Sequence, residues 1–125
     1  MFKYQLIERK NPLDSSVSKW YASPVQQGIM EMVDIAKEIS GRSTTTYPDI
    51  LSVLQNFLEY LPFLMKLGYS VRLSDFGILR ITFSSEGVED RADFDISKIS
   101  QPRVIFFTSP KLRKEIKDIK YIAAK

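Results

Sequence analysis

Between Tyr69 and Phe83 the side chains alternate in character with a period of two. Val71 and Leu73, then Leu79, Ile81 and Phe83, fall on one side of an extended chain; Arg72, Arg80 and Thr82 fall on the other. This pattern predicts two half-buried strands joined at Asp75-Phe76-Gly77. Gly77 lets the chain turn or bulge where a β-carbon would clash. The segments before this stretch read as helices, and a strand and a helix follow it. A helical pair feeding a short sheet is the expected skeleton.

Upstream, Phe2 to Lys10 has extended character, with Phe2, Tyr4 and Leu6 on one face. Asn11-Pro12-Leu13-Asp14 is turn-rich, and Lys19 to Pro24 is a second extended piece, so the two predict an N-terminal hairpin. Trp20 and Tyr21 are expected to pack the hairpin onto the body, with stacking on a ligand as the other use of such rings. A first helix is expected over Val25 to Ser40, where Ile29, Met32, Val33, Ala36 and Ile39 recur at three and four, with Gly41 as its cap. Thr46 then caps a second helix over Tyr47 to Leu67, with Asp49 in the capping-box place and Pro48 in the first turn. Its apolar stripe includes Ile50, Val53, Leu54, Phe57, Leu58, Leu61, Leu64 and Met65 and is wide enough to suggest burial on more than one side, as at a subunit interface. Pro62 predicts a kink or break near Leu58 to Pro62, and Gly68 ends the element.

Downstream, residues 84–95 hold five acidic residues and one arginine, a sum of −4, and read as a polar loop or hairpin tip. Arg103 to Thr108 is a third strand. Ser109 and Pro110 form an N-cap and first-turn pair for a helix through Leu112, Ile116 and Ile119 to about Tyr121. From Gln101 to Lys125 seven basic residues face two acidic ones, a sum of +5, so charge is segregated along the chain.

With 125 residues, 44% of them hydrophobic and 26% charged, one globular domain is the simplest expectation. No apolar run approaches the roughly 20 residues that span a bilayer, and Met1 to Leu6 lacks the apolar core of a signal peptide, so a cytoplasmic protein without membrane contact is expected. Cysteine and histidine are both absent. That removes disulfides, thiolate metal sites, zinc hydrolysis and Ser-His or Cys-His nucleophiles, and leaves only carboxylate or Ser-Lys chemistry formally open. Glu86, Glu89, Asp90, Asp93 and Asp95 lie in a polar stretch where burial cannot tune them, so no enzyme is expected.

The order helix, helix, strand, Phe-Gly turn, strand, arm, strand, short helix resembles the HU/IHF family of bacterial histone-like DNA-binding proteins. Gly68 to Leu79 is similar to the family's G-x-x-V-x-L-x-x-F-G-x-F segment, with Leu79 for the last aromatic. Phe106 to Leu112 is similar to its F-x-x-G-x-x-L segment, with Ser109 for the glycine. Lys19-Trp20-Tyr21-Ala22 resembles the longer HU-like proteins of Bacteroidetes, the HU-HIG type, in which K-W-Y-A follows a first strand. The resemblance implies an α+β, HU/IHF-like fold: two N-terminal helices, a three-stranded antiparallel sheet with a β-arm and a short C-terminal helix, forming an intertwined dimer, with residues 1–24 as a hairpin extension and 25–125 as the DNA-binding domain. It implies double-stranded DNA as partner, a homodimer, a nucleoid location, and no cofactor, metal or small-molecule substrate.

In that family the arms lie along the minor groove, where Lys and Arg meet phosphates and an apolar wedge enters the base stack. Here the corresponding segment is acidic and lacks proline, so no intercalating residue carries over. The candidates for phosphate contact are Arg72, Arg80, Lys98, Arg103, Lys111, Arg113 and Lys114, with Arg80 and Arg103 near a saddle formed by the sheet. Each also fits a solvated basic face; as a cluster they point to the duplex backbone. Phe76 and Phe106 are expected to pack beneath the saddle. Two functions follow: an architectural DNA-binding protein with little sequence preference, or an HU-fold module for protein contacts with DNA binding weakened or lost.

Overall fold

The chain begins with strands. In the computed structural model, which describes residues 1–124, β1 (Phe2–Asn11) and β2 (Asp14–Val25) form an antiparallel hairpin in which Lys3 stands opposite Val25 and Lys10 opposite Ser18. The turn is held by side chains: the Leu13 amide donates to Asn11 Oδ1 at 2.9 Å, and the Ser16 amide and hydroxyl donate to Asp14 at 3.0 and 2.7 Å. Those two bonds, hydroxyl first, hold the Asp14 carboxyl below the usual aspartate value. Pro24 is tolerated because β2 is an edge strand.

Two helices follow, α1 (Met32–Ser40) and α2 (Tyr47–Lys66), then β3 (Val71–Arg72), β4 (Gly77–Thr82), β5 (Arg103–Thr108) and α3 (Pro110–Glu115). A last strand, β6 (Tyr121–Ala123), pairs in parallel with β1, Phe2 opposite Tyr121. Two three-stranded sheets result, ordered β2-β1-β6 and β3-β4-β5. The chain divides into two compact units, residues 1–31 with 116–125, and residues 32–115.

The HU/IHF-like plan of two N-terminal helices, one antiparallel sheet with a β-arm and a closing helix is corrected on four points. Strands precede the helices, and there are two sheets. The C-terminal helix stops at Glu115; after a 3-10 turn at Ile116–Asp118 the chain becomes β6, because the open edge of β1 offers backbone partners to Tyr121-Ile122-Ala123. The segment between β4 and β5 is not a β-arm. It is a loop with 3-10 turns at Arg91–Asp93 and Ile96–Lys98, closed at its base by a bridge between Ser85 and Ile99. Asp90 helps set the first turn by accepting from the Ala92 amide at 3.2 Å.

Smaller expectations also shift. The first helix starts at Met32 rather than Val25, since Val25 is still paired in β2 and Gly28 is a poor helix former. Thr46 stands at the N-cap, but its hydroxyl donates to Asp49 Oδ2 at 3.0 Å instead of accepting a backbone amide. α2 is continuous through Pro62, so the helix does not break there although the proline removes one amide donor. Trp20 is 64% exposed and Tyr21 46%, so neither ring is buried as expected.

The second unit holds the buried core: Ala36 of α1 with Ile50, Leu61 and Met65 of α2. α2 ends in a Schellman motif, with the Gly68 amide donating to the Met65 carbonyl at 3.0 Å and the Tyr69 amide to the Leu64 carbonyl at 3.3 Å. Gly68 has φ +95°, which a β-carbon disfavours. Gly77 has a different constraint, because a β-carbon there would collide with the Phe106 ring and the Phe107 carbonyl. We expect Gly68→Ala to lower unfolding free energy by about 1 kcal/mol and Gly77→Ala to lower it by more. Urea titration checks both, and a smaller loss at Gly77 would contradict the close approach.

Candidate nucleic-acid interface

The β3-β4-β5 sheet decides which charged side chains can act together. Arg72 stands opposite Ile78, Arg80 opposite Ile105, and Arg103 opposite Thr82. Residues directly opposed in an antiparallel pair share a face, and alternate residues along a strand do so too. Arg72, Arg80 and Arg103 therefore lie on one face, with Phe107 and Ile105 between them and no carboxylate among the strand residues there. All three arginines are exposed. The other face carries Val71, Leu79, Ile81, Val104 and Phe106, and α2 packs against β3 and β4.

Aromatic and hydroxyl groups fix the arginines. The Arg80 guanidinium carbon lies 4.8 Å from the centre of the Phe107 ring, a cation–π contact. Arg103 Nη1 lies 3.5 Å from Ser84 Oγ, at the base of the acidic loop. Arg72 lines a cleft of about 290 Å³ with Ile78, Phe107 and Pro110, which links the sheet face to the start of α3. Phe107 is the residue that the sequence reading missed. Its signal was the same alternation: it lies two residues beyond Ile105 on the arginine side.

The four lysine and arginine candidates outside the sheet are placed differently. Lys98 sits where the loop returns, 3.7 Å from Glu86 Oε2. Lys111, in the first turn of α3, lies 3.9 Å from Asp75 Oδ2. Such exposed pairs are worth at most about 1 kcal/mol and yield readily to another anion. Arg113 and Lys114 stand in the last turn of α3, where cations also complement the helix dipole.

One residue ties α3 to the turn between the strands. The Ser109 amide donates to the Phe76 carbonyl at 3.0 Å, its hydroxyl donates to the Asp75 carbonyl, and its Oγ accepts from the Leu112 amide at 3.0 Å. Ser109 is thus both N-cap of α3 and clamp on the Asp75-Phe76 turn. Phe76 and Phe106 stack at 5.5 Å and are 53% and 41% exposed in the single chain.

A surface of this kind, a sheet with arginines on one face and a loop launched from its edge, can hold an anionic backbone but has no cluster of His, Cys, Asp or Glu suited to a metal among the described residues. The chain belongs to the HU-HIG family: the family model, described as an HU domain fused to a wHTH, Ig or glycine-rich motif, matches residues 1–122. It is therefore an HU-domain protein, of a family defined by that domain and not by a catalytic one. Among solved structures, a crystal structure of a candidate bacterial DNA-binding protein from Bacteroides vulgatus ATCC 8482 is similar in fold, with a TM-score of 0.65 and 15% identity over 98% of this chain. The match covers 47% of that protein, so this chain spans less than half its length. No curated protein matches the chain.

Ser109→Ala removes the cap and the link to Asp75 together. The expected loss is about 1–2 kcal/mol, read as a lower urea midpoint with unchanged slope. An unchanged midpoint would show that the turn and α3 are held by other contacts.

Proposed function

We propose that this chain is an architectural DNA-binding protein that grips the duplex backbone with little sequence preference. The observation that carries the proposal is the face bearing Arg72, Arg80 and Arg103 with no carboxylate among its strand residues; Asp75, in the turn, lines the cleft beside Arg72. Lys98, Lys111, Arg113 and Lys114 flank it as further phosphate contacts. Membership of an HU-domain family supports the same partner. Arginines held against an aromatic ring and a hydroxyl meet phosphates with little loss of side-chain freedom. Contacts of this type neutralise charge and release counterions, and they carry no base code. On this reading the protein works on the nucleoid, in the cytoplasm, without a catalytic step.

A second copy of the chain is the expected partner subunit. On α2 the stripe is only half covered: Ile50, Leu61 and Met65 are buried, while Val53, Phe57, Leu58 and Phe63 are exposed, Val53 to 68%. Apolar side chains of that size on one helix mark an interface. Pairing two copies would also double the number of arginines offered to one duplex.

The acidic loop favours a second reading, an HU-domain module for protein contacts. Residues 84–95 sum to −4, and the loop is braced by its own bonds, Glu86 amide to Lys98 carbonyl at 3.0 Å and Ser100 amide to Ser84 carbonyl at 2.8 Å. A braced acidic loop repels phosphate and suits a basic protein surface.

Fluorescence anisotropy with short duplexes separates the two. Binding is expected to weaken with added salt, with a slope of log K against log salt of about −5 for six phosphates held by a pair of chains. Two duplexes of unrelated sequence are expected to bind alike. The triple variant Arg72→Glu, Arg80→Glu, Arg103→Glu should lose binding; unchanged affinity would move the site off the sheet, and no binding by the unaltered chain at low salt would favour the protein-contact reading. For the subunit pairing, Phe57→Asp should shift the mass in sedimentation from two chains to one. A single-chain mass before substitution would refute the pairing.

A further inference from the structure

The N-terminal hairpin carries a second cationic surface that the arginine face does not explain. Arg9 of β1 stands directly opposite Lys19 of β2. Like charges directly opposed across two strands destabilise the pairing, so the sequence holds an unfavourable pair where a neutral or acidic neighbour would have served folding better. Lys3 falls on the same face by alternation, and Glu8 falls on the other, opposite Trp20 and bonded to the Ser18 hydroxyl at 2.6 Å. From Lys3 to Arg9 the face is therefore cationic, with no carboxylate among its β1 residues or their β2 partners Val25, Ser23, Tyr21 and Lys19. It also carries an aromatic ring: the Arg9 guanidinium carbon lies 5.7 Å from the centre of the Tyr21 ring. Arg9, Lys19 and Tyr21 line a cleft of about 420 Å³ with Val17.

The ribbon has the right width for a nucleic-acid groove. β6 pairs with β1 only over Phe2 to Tyr4, so from Gln5 to the turn the hairpin is two-stranded. A two-stranded ribbon is one of the few protein elements that the major groove of a duplex admits. Cations on one face of such a ribbon reach the phosphates that wall the groove, and a polyanion there relieves the repulsion between Arg9 and Lys19.

We propose that this hairpin is a second duplex-binding element, in which Arg9, Lys19 and Lys3 contact phosphates. The proposal rests on the DNA-binding reading above and adds a contact that the sheet does not supply. The acidic loop cannot serve as such an arm, since its charge is of the wrong sign; the hairpin has the required sign.

The test uses the full chain and a short duplex, with anisotropy measured between about 50 and 200 mM salt. Arg9→Gln with Lys19→Gln should lower the magnitude of the salt slope by about two per bound chain, with weaker binding at every salt concentration. An unchanged slope, while the sheet variant Arg80→Glu loses affinity, overturns the hairpin contact and leaves the sheet reading standing; a hairpin that instead binds an acidic protein would give this result. No binding by the unaltered chain overturns both. Acetylation of the unaltered chain gives a readout that needs no variant to fold: duplex should protect Lys3 and Lys19 several-fold, and equal labelling with and without duplex also overturns the proposal.

Discussion

At Gly77 the backbone of β4 lies too close to Phe106 and the Phe107 carbonyl for a β-carbon, and much of the second unit follows from that approach. With no β-carbon, β4 can start flush against β5, the Gly77 position opposite Thr108 and the Phe106 ring folded over it. That contact sets the register of the sheet. The register in turn decides that Arg80 meets Phe107 and that Arg72 and Arg103 share its face. One missing methyl thus fixes where three charges point. Ser109 secures the same corner from the other side by tying α3 to the turn that ends at Gly77.

What the sequence revealed and what it hid divide along a physical line. The alternation from Val71 to Phe83 and the glycine within it were legible because strand geometry leaves its period in the residues. The limits of α2 were legible for the same reason, with Pro48 near one end and Gly68 at the other. The order of layers was not. β6 is three residues long and is defined by a partner more than a hundred positions away, so no local period announces it. The start of α1 was obscured because Val25 suits a strand and a helix alike; its pairing with Lys3 decides. The loop between β4 and β5 could be seen to be acidic, but its first 3-10 turn depends on a single cap, Asp90 accepting from the Ala92 amide.

The candidate site was partly legible. Arg72 and Arg80 were separated from the apolar residues by alternation alone. That Arg103 joins them needed the β4–β5 register, and Lys98 and Lys111 acquire carboxylate neighbours only once the loop and α3 are folded back. The opposed Arg9 and Lys19 were invisible for the same reason: ten positions apart in sequence, they become neighbours only when the hairpin register is known. Pairwise charge relations across strands are set by register, which a single sequence does not print.

The parallel pairing of β6 with β1 has a consequence for how the chain is made. Phe2 emerges from the ribosome long before Tyr121, so the first sheet waits, two-stranded, while the residues between them are made. Closing so long a loop carries an entropic cost that grows only slowly with length, but contacts of such sequence separation form late in folding. The helices and the arginine sheet, built from neighbours between Met32 and Glu115, can assemble first. The second unit can therefore be folded before β6 has joined β1.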